Sequence, residues 1–393
     1  MFLGLAVPAG AQSINATTYP FFSSTGATLE DMSASTTQLI AANSDDNAST
    51  VTDIGFDFWF GGTRYTQFSV NANGLMRLGS LVVGGNFVND LTSSTNVPQI
   101  APYWDELMVG TNGKVHWRVA GSAPNRKLVV EWLNMQVPRV GSGNAGAATF
   151  QCWLSETTGA VEIVYGEGMA TNATNGGATI GVGSSASQFA SVTSAGPTVS
   201  YIVSNNANVA PIASGTRYAL APPTPAAPTN LAFTGVTATT MTLNWTDNAS
   251  AEVGYAVYRS LDGVTYTYLT QLPANTTSYP QAGLDQSTTY WWIVRAVGEG
   301  ALSATLAGSQ PTTAPGMITT SGSGNWSSTV PDAPWPGGVV PTASDDVTIA
   351  DGTSVIVDVA ASCLSLTAGQ GSSGRIEFEA TSARTLTVGG SLS

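Results

Sequence analysis

The sequence predicts an all-β chain: two successive β-sandwiches followed by the start of a parallel β-solenoid. Three observations predict it. Only 9% of the 393 residues are charged and 43 are Gly, which suits short strands joined by turns better than amphipathic helices. Apolar residues recur with a period of two in one segment after another. Two proline clusters divide the chain: Pro222, Pro223, Pro225 and Pro228 in "APPTPAAPTN", and Pro311 and Pro315 in "GSQPTTAPGM". Such stretches read as extended, donor-poor spacers. The expected organisation is a leader remnant (1–11), a first sandwich (12–221), a linker (222–228), a second sandwich (229–310), a linker (311–320) and a truncated solenoid (321–393).

The opening "MFLGLAVPAGAQS" is an apolar run ending in Ala9, Gly10 and Ala11. This is the small-residue end of a secretory signal with cleavage after Ala11, and the missing basic start implies that the natural chain begins earlier. No later stretch is long and apolar enough to span a bilayer, so the expected location is extracellular or at the cell surface.

In the first sandwich Ile54, Phe56, Phe58 and Phe60 alternate with Gly55, Asp57 and Trp59, placing one apolar set on one strand face. In "GGTRYTQFSVNANGLMRLG" Phe68 and Val70 continue the alternation, and Met76 and Leu78 resume it beyond "NANG". The reading is a hairpin whose glycines serve geometry. A phosphate loop would need a helix opening after the glycines, and nothing helical follows Gly74. The alternation recurs in "KVHWRVAG", "KLVVEWLNMQV", "ATFQCWLS" and "AVEIVYGE", for some ten strands in all.

"VNANGLMRLG" followed by "IAPYWDEL" resembles the paired motifs of nidogen-like β-sandwich domains, carried here by Asn73, Gly74, Ala101, Pro102, Tyr103, Trp104 and Asp105. The likeness covers about residues 50 to 220 and is nearest to large secreted bacterial surface proteins. It implies a structural role for this segment, with Trp104 packing and Asp105 satisfying a turn, and by association adhesion or matrix contact. "PTNLAFTGVTATTMTLNWTDNASAEVGYAVYRSLDG" and "GLDQSTTYWWIVRAVGEG" resemble a fibronectin type III domain, an immunoglobulin-like sandwich. Met241, Leu243 and Trp245 would line one inner face, and Tyr290, Trp292, Val294 and Ala296 the other. Leu284 and Tyr290 fit its tyrosine corner. No Arg-Gly-Asp occurs, so this domain is expected to act as a spacer.

In the last segment apolar triplets near Thr348, Ile356, Ser365, Glu377 and Thr387 recur about every ten residues, the rhythm of stacked turns. With "SGNW" and "DDVTI" it resembles the opening coils of right-handed parallel β-helices in secreted bacterial proteins. A solenoid needs several coils and a cap, so the expectation is that the natural chain continues past Ser393.

Charge and residue counts exclude several chemistries. The net charge is −13, with 12 Lys and Arg against 25 Asp and Glu, leaving no basic surface to bind nucleic acid. Cys152 and Cys363 fall in different predicted domains, which rules out a disulfide scaffold and leaves two buried free thiols. His116 is the single histidine; it reads as a partly exposed filler on its strand, and no G-x-S-x-G elbow accompanies it. Zinc would need more His or Cys. Asp105, Glu106 and Glu131 could supply a glycosidase acid and base beside Tyr103 and Trp104, but neighbours on a strand point to opposite faces. No catalytic residue is therefore assigned. Calcium is the cofactor for which ligands exist: Asp45 and Asp46 before the first strong strand, and Asp345, Asp346 and Asp351 around the first solenoid strand. The alternative for both clusters is solvated acidic turns. Trp59, Trp104 and Trp335 lack a core explanation, and Trp59, Trp104 and Asp105 are the candidate ligand-binding residues.

The expected function is non-catalytic contact with extracellular matrix, a surface protein or a polysaccharide. The rival reading is an accessory N-terminal region of a secreted polysaccharide-degrading enzyme whose catalytic β-helix lies beyond Ser393.

Overall fold

The computed structural model describes residues 13–15, 17–369, 371 and 373–393. The predicted leader, with its cleavage point after Ala11, lies outside the described residues.

Two seven-stranded antiparallel sheets form the first sandwich. One carries, in spatial order, Phe21–Ser24, Arg217–Leu220, Val161–Tyr165, Ala148–Ser155, Lys127–Gln136, Met108–Ala120 and Thr37–Ile40. The other runs Thr198–Ser200, Gln188–Thr193, Thr179–Ser185, Gln99–Trp104, Met76–Leu78, Thr63–Val70 and Thr52–Phe60. More strands form than the alternation predicts, because short edge strands such as Phe21–Ser24 are largely exposed and carry no inward set. The core joins Phe58, Phe68 and Met76 of one sheet to Val115, Trp132 and Phe150 of the other. Trp132 and Phe150 stack with ring centroids 5.3 Å apart.

Segments between strands cover the outer faces as well. Residues 80–98 fold over one sheet, where Val83 and Leu91 pack on Ala101, Trp104 and Phe189. Residues 25–36 lie over the other, placing Met32, Ala27 and Leu29 against Val129, Trp153 and Val164. This explains why every residue of Gln99–Trp104 is buried: the strand has no solvent face on which polar residues would alternate.

The second sandwich pairs Thr229–Thr234, Thr240–Thr246 and Ser278–Ala282 against Thr267–Pro273, Gly254–Ser260, Thr289–Val297 and Leu306–Pro311. All seven predicted inner-face residues, Met241, Leu243, Trp245, Tyr290, Trp292, Val294 and Ala296, meet in one core with Leu284. The Tyr290 hydroxyl accepts the Asp285 N–H at 2.8 Å, which is the bond back to the upstream chain that a tyrosine corner makes.

Beyond Pro315 the pairing turns parallel. Met317–Thr319, Asp346–Ile349 and Ser365–Ala368 form one ladder, Gly324–Asn325, Ser354–Val357 and Arg375–Phe378 a second, and Ala361–Cys363 with Leu386–Val388 a third. Val347, Ile349, Val355, Val357 and Cys363 point into a common core. Trp335 belongs to that core: it donates Nε1–H to the Trp326 carbonyl at 2.7 Å, and the two rings meet edge to face at 5.1 Å. Cys152 and Cys363 are both free and buried.

Candidate functional site

The turn at "NANG" and the segment "APYWDEL" interlock through buried polar groups. Gly74 has φ +78°, and a Cβ there would run into the Tyr103 carbonyl, so the position excludes side chains twice over. Asn71 accepts the Leu75 N–H with its side chain at 2.9 Å and donates to the Gly84 carbonyl at 2.8 Å. Asn73 accepts the Leu107 N–H at 2.9 Å and donates to Asp46 Oδ1 and the Gly85 carbonyl, each at 2.8 Å. Asp105 accepts the Glu106 N–H and the Asn172 amide, both at 2.8 Å. Burial, with nearby Glu106 adding to it, lifts the Asp105 carboxyl to about 6 against hydrogen bonds that lower it. These asparagines do the work of backbone groups where the chain has no ladder partner.

The candidate residues are thereby placed. Trp104 is buried under residues 80–98 and donates Nε1–H to the Asn86 carbonyl at 3.2 Å. Asp105 is buried with it, so neither offers a ligand platform at the surface. The three carboxylates weighed as acid and base are separately engaged: Asp105 with Asn172, Glu106 with Arg139 at 2.8 Å, and Glu131 with His116 at 2.6 Å.

His116 is buried, where partial exposure was expected. It sits beside Glu131, which is next to Gln151 in the same cross-strand row. Gln151 donates to Glu131 at 2.7 Å and to the Glu30 carbonyl at 2.9 Å, and accepts the Glu30 N–H and the Trp153 indole N–H. This row fastens residues 25–36 onto the sheet. The reason for the difference is that cover, which hides a face the strand alone would expose.

The acidic clusters are held by protein partners. Asp45 pairs with Arg139, and Asp46 accepts from Asn73. Asp345 accepts the Thr342 N–H and hydroxyl, Asp346 accepts the Ser365 hydroxyl, and Asp351 accepts the Gly371 N–H at 3.1 Å. Among the described residues no group of three or more His, Cys, Asp or Glu is arranged to hold a metal ion.

Trp59 leads to a feature the sequence reading missed. Its ring is buried between the two sandwiches, against Ala256, Val297 and Leu302, and Nε1–H donates to Gln271 at 3.2 Å. Gly61 and Gly62 form the two-residue turn between paired Phe60 and Thr63, both with positive φ. The Gly61 N–H bonds the Tyr19 hydroxyl at 3.0 Å, and the Gly62 N–H bonds the Glu299 carbonyl at 2.7 Å. Tyr19 donates to that same carbonyl at 3.0 Å, and burial pushes its hydroxyl well above the usual range. Leu302 N–H reaches the Thr157 carbonyl at 3.0 Å. The one sequence signal for this seam is an aromatic residue at 59, out of phase with its strand's inward set.

Beside the seam is a cleft of about 480 Å³ between the sandwiches. Phe56, Asp57, Arg126 and Glu156 line it from the first, and Tyr258, Tyr266 and Arg295 from the second. Arg126 grips Glu156 through Nε at 2.9 Å and Nη2 at 2.5 Å. Arg64 holds Asp57 at 2.6 Å and lies 4.1 Å over the Tyr268 ring.

Comparison with known proteins matches residues 18–235 to the NIDO-related family and residues 226–309 to the fibronectin type III domain. The structural boundary lies between Leu220 and Thr229. The chain is 41% identical over 90 residues to a poly(3-hydroxybutyrate) depolymerase of Delftia acidovorans, a match covering 21% of this chain and 17% of that protein. Among solved structures it is similar to a fibronectin type III domain of human collagen XX (26% identity, 22% of this chain, 91% of that chain, TM-score 0.21). It is also similar to an Fn3-like protein from Clostridium thermocellum (29%, 22%, 90%, TM-score 0.19).

Proposed function

Because this chain belongs to the NIDO-related family and carries a fibronectin type III domain behind its sandwich, we propose that it is a non-catalytic contact protein of the bacterial cell surface or extracellular space. It holds a matrix component, surface protein or polysaccharide. The seam carries this reading: Trp59, Tyr19 and Gly62 fix the second domain against the first, so the pair forms a stiff arm that presents its loops at a set angle. The spacer is thus a rigid one. The parallel ladders from Met317 onward support a solenoid continuing that arm, and no helix among the described residues is long and apolar enough to cross a membrane. The test is retention of the purified chain on immobilised matrix proteins and polysaccharides. Binding to a defined member of either set is expected, and failure to bind any of them would refute contact.

A second reading is favoured by the depolymerase match: an accessory region that delivers a secreted enzyme to its polymer. Adsorption of the chain to a polymer film without release of soluble fragments, together with no retention on matrix proteins, would favour this reading.

A further inference from the structure

We infer that the cleft between the two sandwiches binds a sugar bearing a carboxylate, an isolated uronate residue within an otherwise neutral polysaccharide. This deepens the contact function and rests on it.

Arg295 would make the decisive contact. It is 9% exposed, it lines the cleft, and Nε–H donates to the Ser303 carbonyl at 2.8 Å. Among the described residues no carboxylate stands within ion-pair distance of its guanidinium, whereas Arg64 and Arg126 each have one. Burial lowers its pKa, while nearby Tyr258 and Glu156 act to raise it, so the site holds a desolvated cation that lacks an ion pair of its own. A carboxylate entering there gains a charge-assisted, planar, two-pronged contact.

The rest of the cleft selects what carries that carboxylate. The charges lining the cleft balance, Arg126 and Arg295 against Asp57 and Glu156. Glu156 is paired with Arg126, however, and Asp57 with Arg64 outside the lining. That leaves Arg295 as the lining charge without an ion pair among the described residues, in a chain that is negative by 13. One anionic group is matched; a run of them would be repelled by the remainder of the molecule. Tyr258 and Tyr266 line the cleft with aromatic surface of the kind that packs on the C–H face of a sugar. Asp57, whose ion pair uses Oδ1, and Thr305 offer polar groups to hydroxyls. The volume of about 480 Å³ suits one or two rings.

The experiment titrates the full chain by calorimetry with a disaccharide of one uronate and one neutral sugar. The controls are the same disaccharide with its carboxyl reduced to the alcohol, a homopolymeric uronate oligomer, and an acidic dipeptide. The uronate disaccharide is expected to bind at least about tenfold more tightly than each control. Val264, 82% exposed at the rim, permits a variant that does not disturb the core: Val264→Asp should weaken binding by about tenfold with an unchanged melting curve. Arg295→Gln should abolish it. No uptake of the uronate disaccharide, equal affinity for the reduced sugar or the dipeptide, or undiminished binding by a folded Val264→Asp protein would each overturn the assignment. Failure here is separable from failure of the contact function, because matrix retention that survives Val264→Asp would leave the latter standing on another surface.

Discussion

The two sandwiches solve the same packing problem differently. In the fibronectin type III domain the three-stranded sheet has one buried and one open face, Thr240–Thr246 and Ser278–Ala282 alternating residue by residue between inward and outward positions. The four-stranded sheet is covered on its outer face only where Ala256 and Val297 meet the seam. In the NIDO-related sandwich both faces of the central strands are covered, by the opposite sheet within and by residues 25–36 and 80–98 without. Covering the outer face buries loop backbone, and the sandwich meets that cost with buried polar side chains: Asn71, Asn73, Asn89, Asp105 and Gln151. The second domain needs few such groups. A sheet that gives up its solvent face must therefore recruit side chains to replace water as hydrogen-bond partner.

Four experiments would break or sharpen this contrast. Trp104→Ala beneath the cover and Trp245→Ala in the open-faced domain are each expected to cost on the order of 3 to 5 kcal/mol, because each leaves a cavity. Urea unfolding measures both. A loss under about 1 kcal/mol at Trp104 would mean that the cover adds little. Gly74→Val should follow at about 2 to 4 kcal/mol, since a β-branched residue at positive φ also meets the Tyr103 carbonyl; thermal melts of the first domain would show it, and an unchanged midpoint would discount the interlocked turn.

Leu302→Asp places a charge in the apolar seam and should remove about 2 kcal/mol of coupling between the domains. The wild-type domains are expected to melt together and to resist proteolysis at residues 223–226, and the variant to melt in two steps with early cleavage there. The smallest effect concerns pH. The folded Asp105 carboxyl, at about 6 against an ordinary 3.8, holds its proton more tightly than the unfolded chain does. Its contribution is full below about pH 4 and is lost as pH rises through about 6; the full shift corresponds to about 3 kcal/mol, of which solvent screening leaves roughly 1 to 2 kcal/mol. Asp105→Asn should flatten that part of the stability curve; a slope that persists would assign it to another group.

The open-faced domain was legible residue by residue, because alternation is a local property and Trp245, Tyr290 and Trp292 obey it. So was the turn at Gly74, where Asn and Gly announce positive φ. The covers were not. Trp59 and Trp104 looked like exposed platforms because their strands, taken alone, give them no neighbours, and what buries them comes from Leu302 and Val297 or from Val83 and Leu91. Arg295 was equally silent: its meaning depends on the facing domain placing Glu156 close to it but in an ion pair with Arg126.

The edge strand Phe21–Ser24 lies beside Arg217–Leu220, and Tyr19 just before it is tied to Glu299. The earliest described part of the chain is thus completed by some of the latest residues of each sandwich. Such long loops must close before their contacts repay the lost entropy. On a ribosome, Val161–Tyr165 would wait with an unpaired edge until Arg217–Leu220 emerged, and the seam until Glu299 did. The arm should therefore be slow to mature, and dependent during that interval on whatever shields open strand edges from one another.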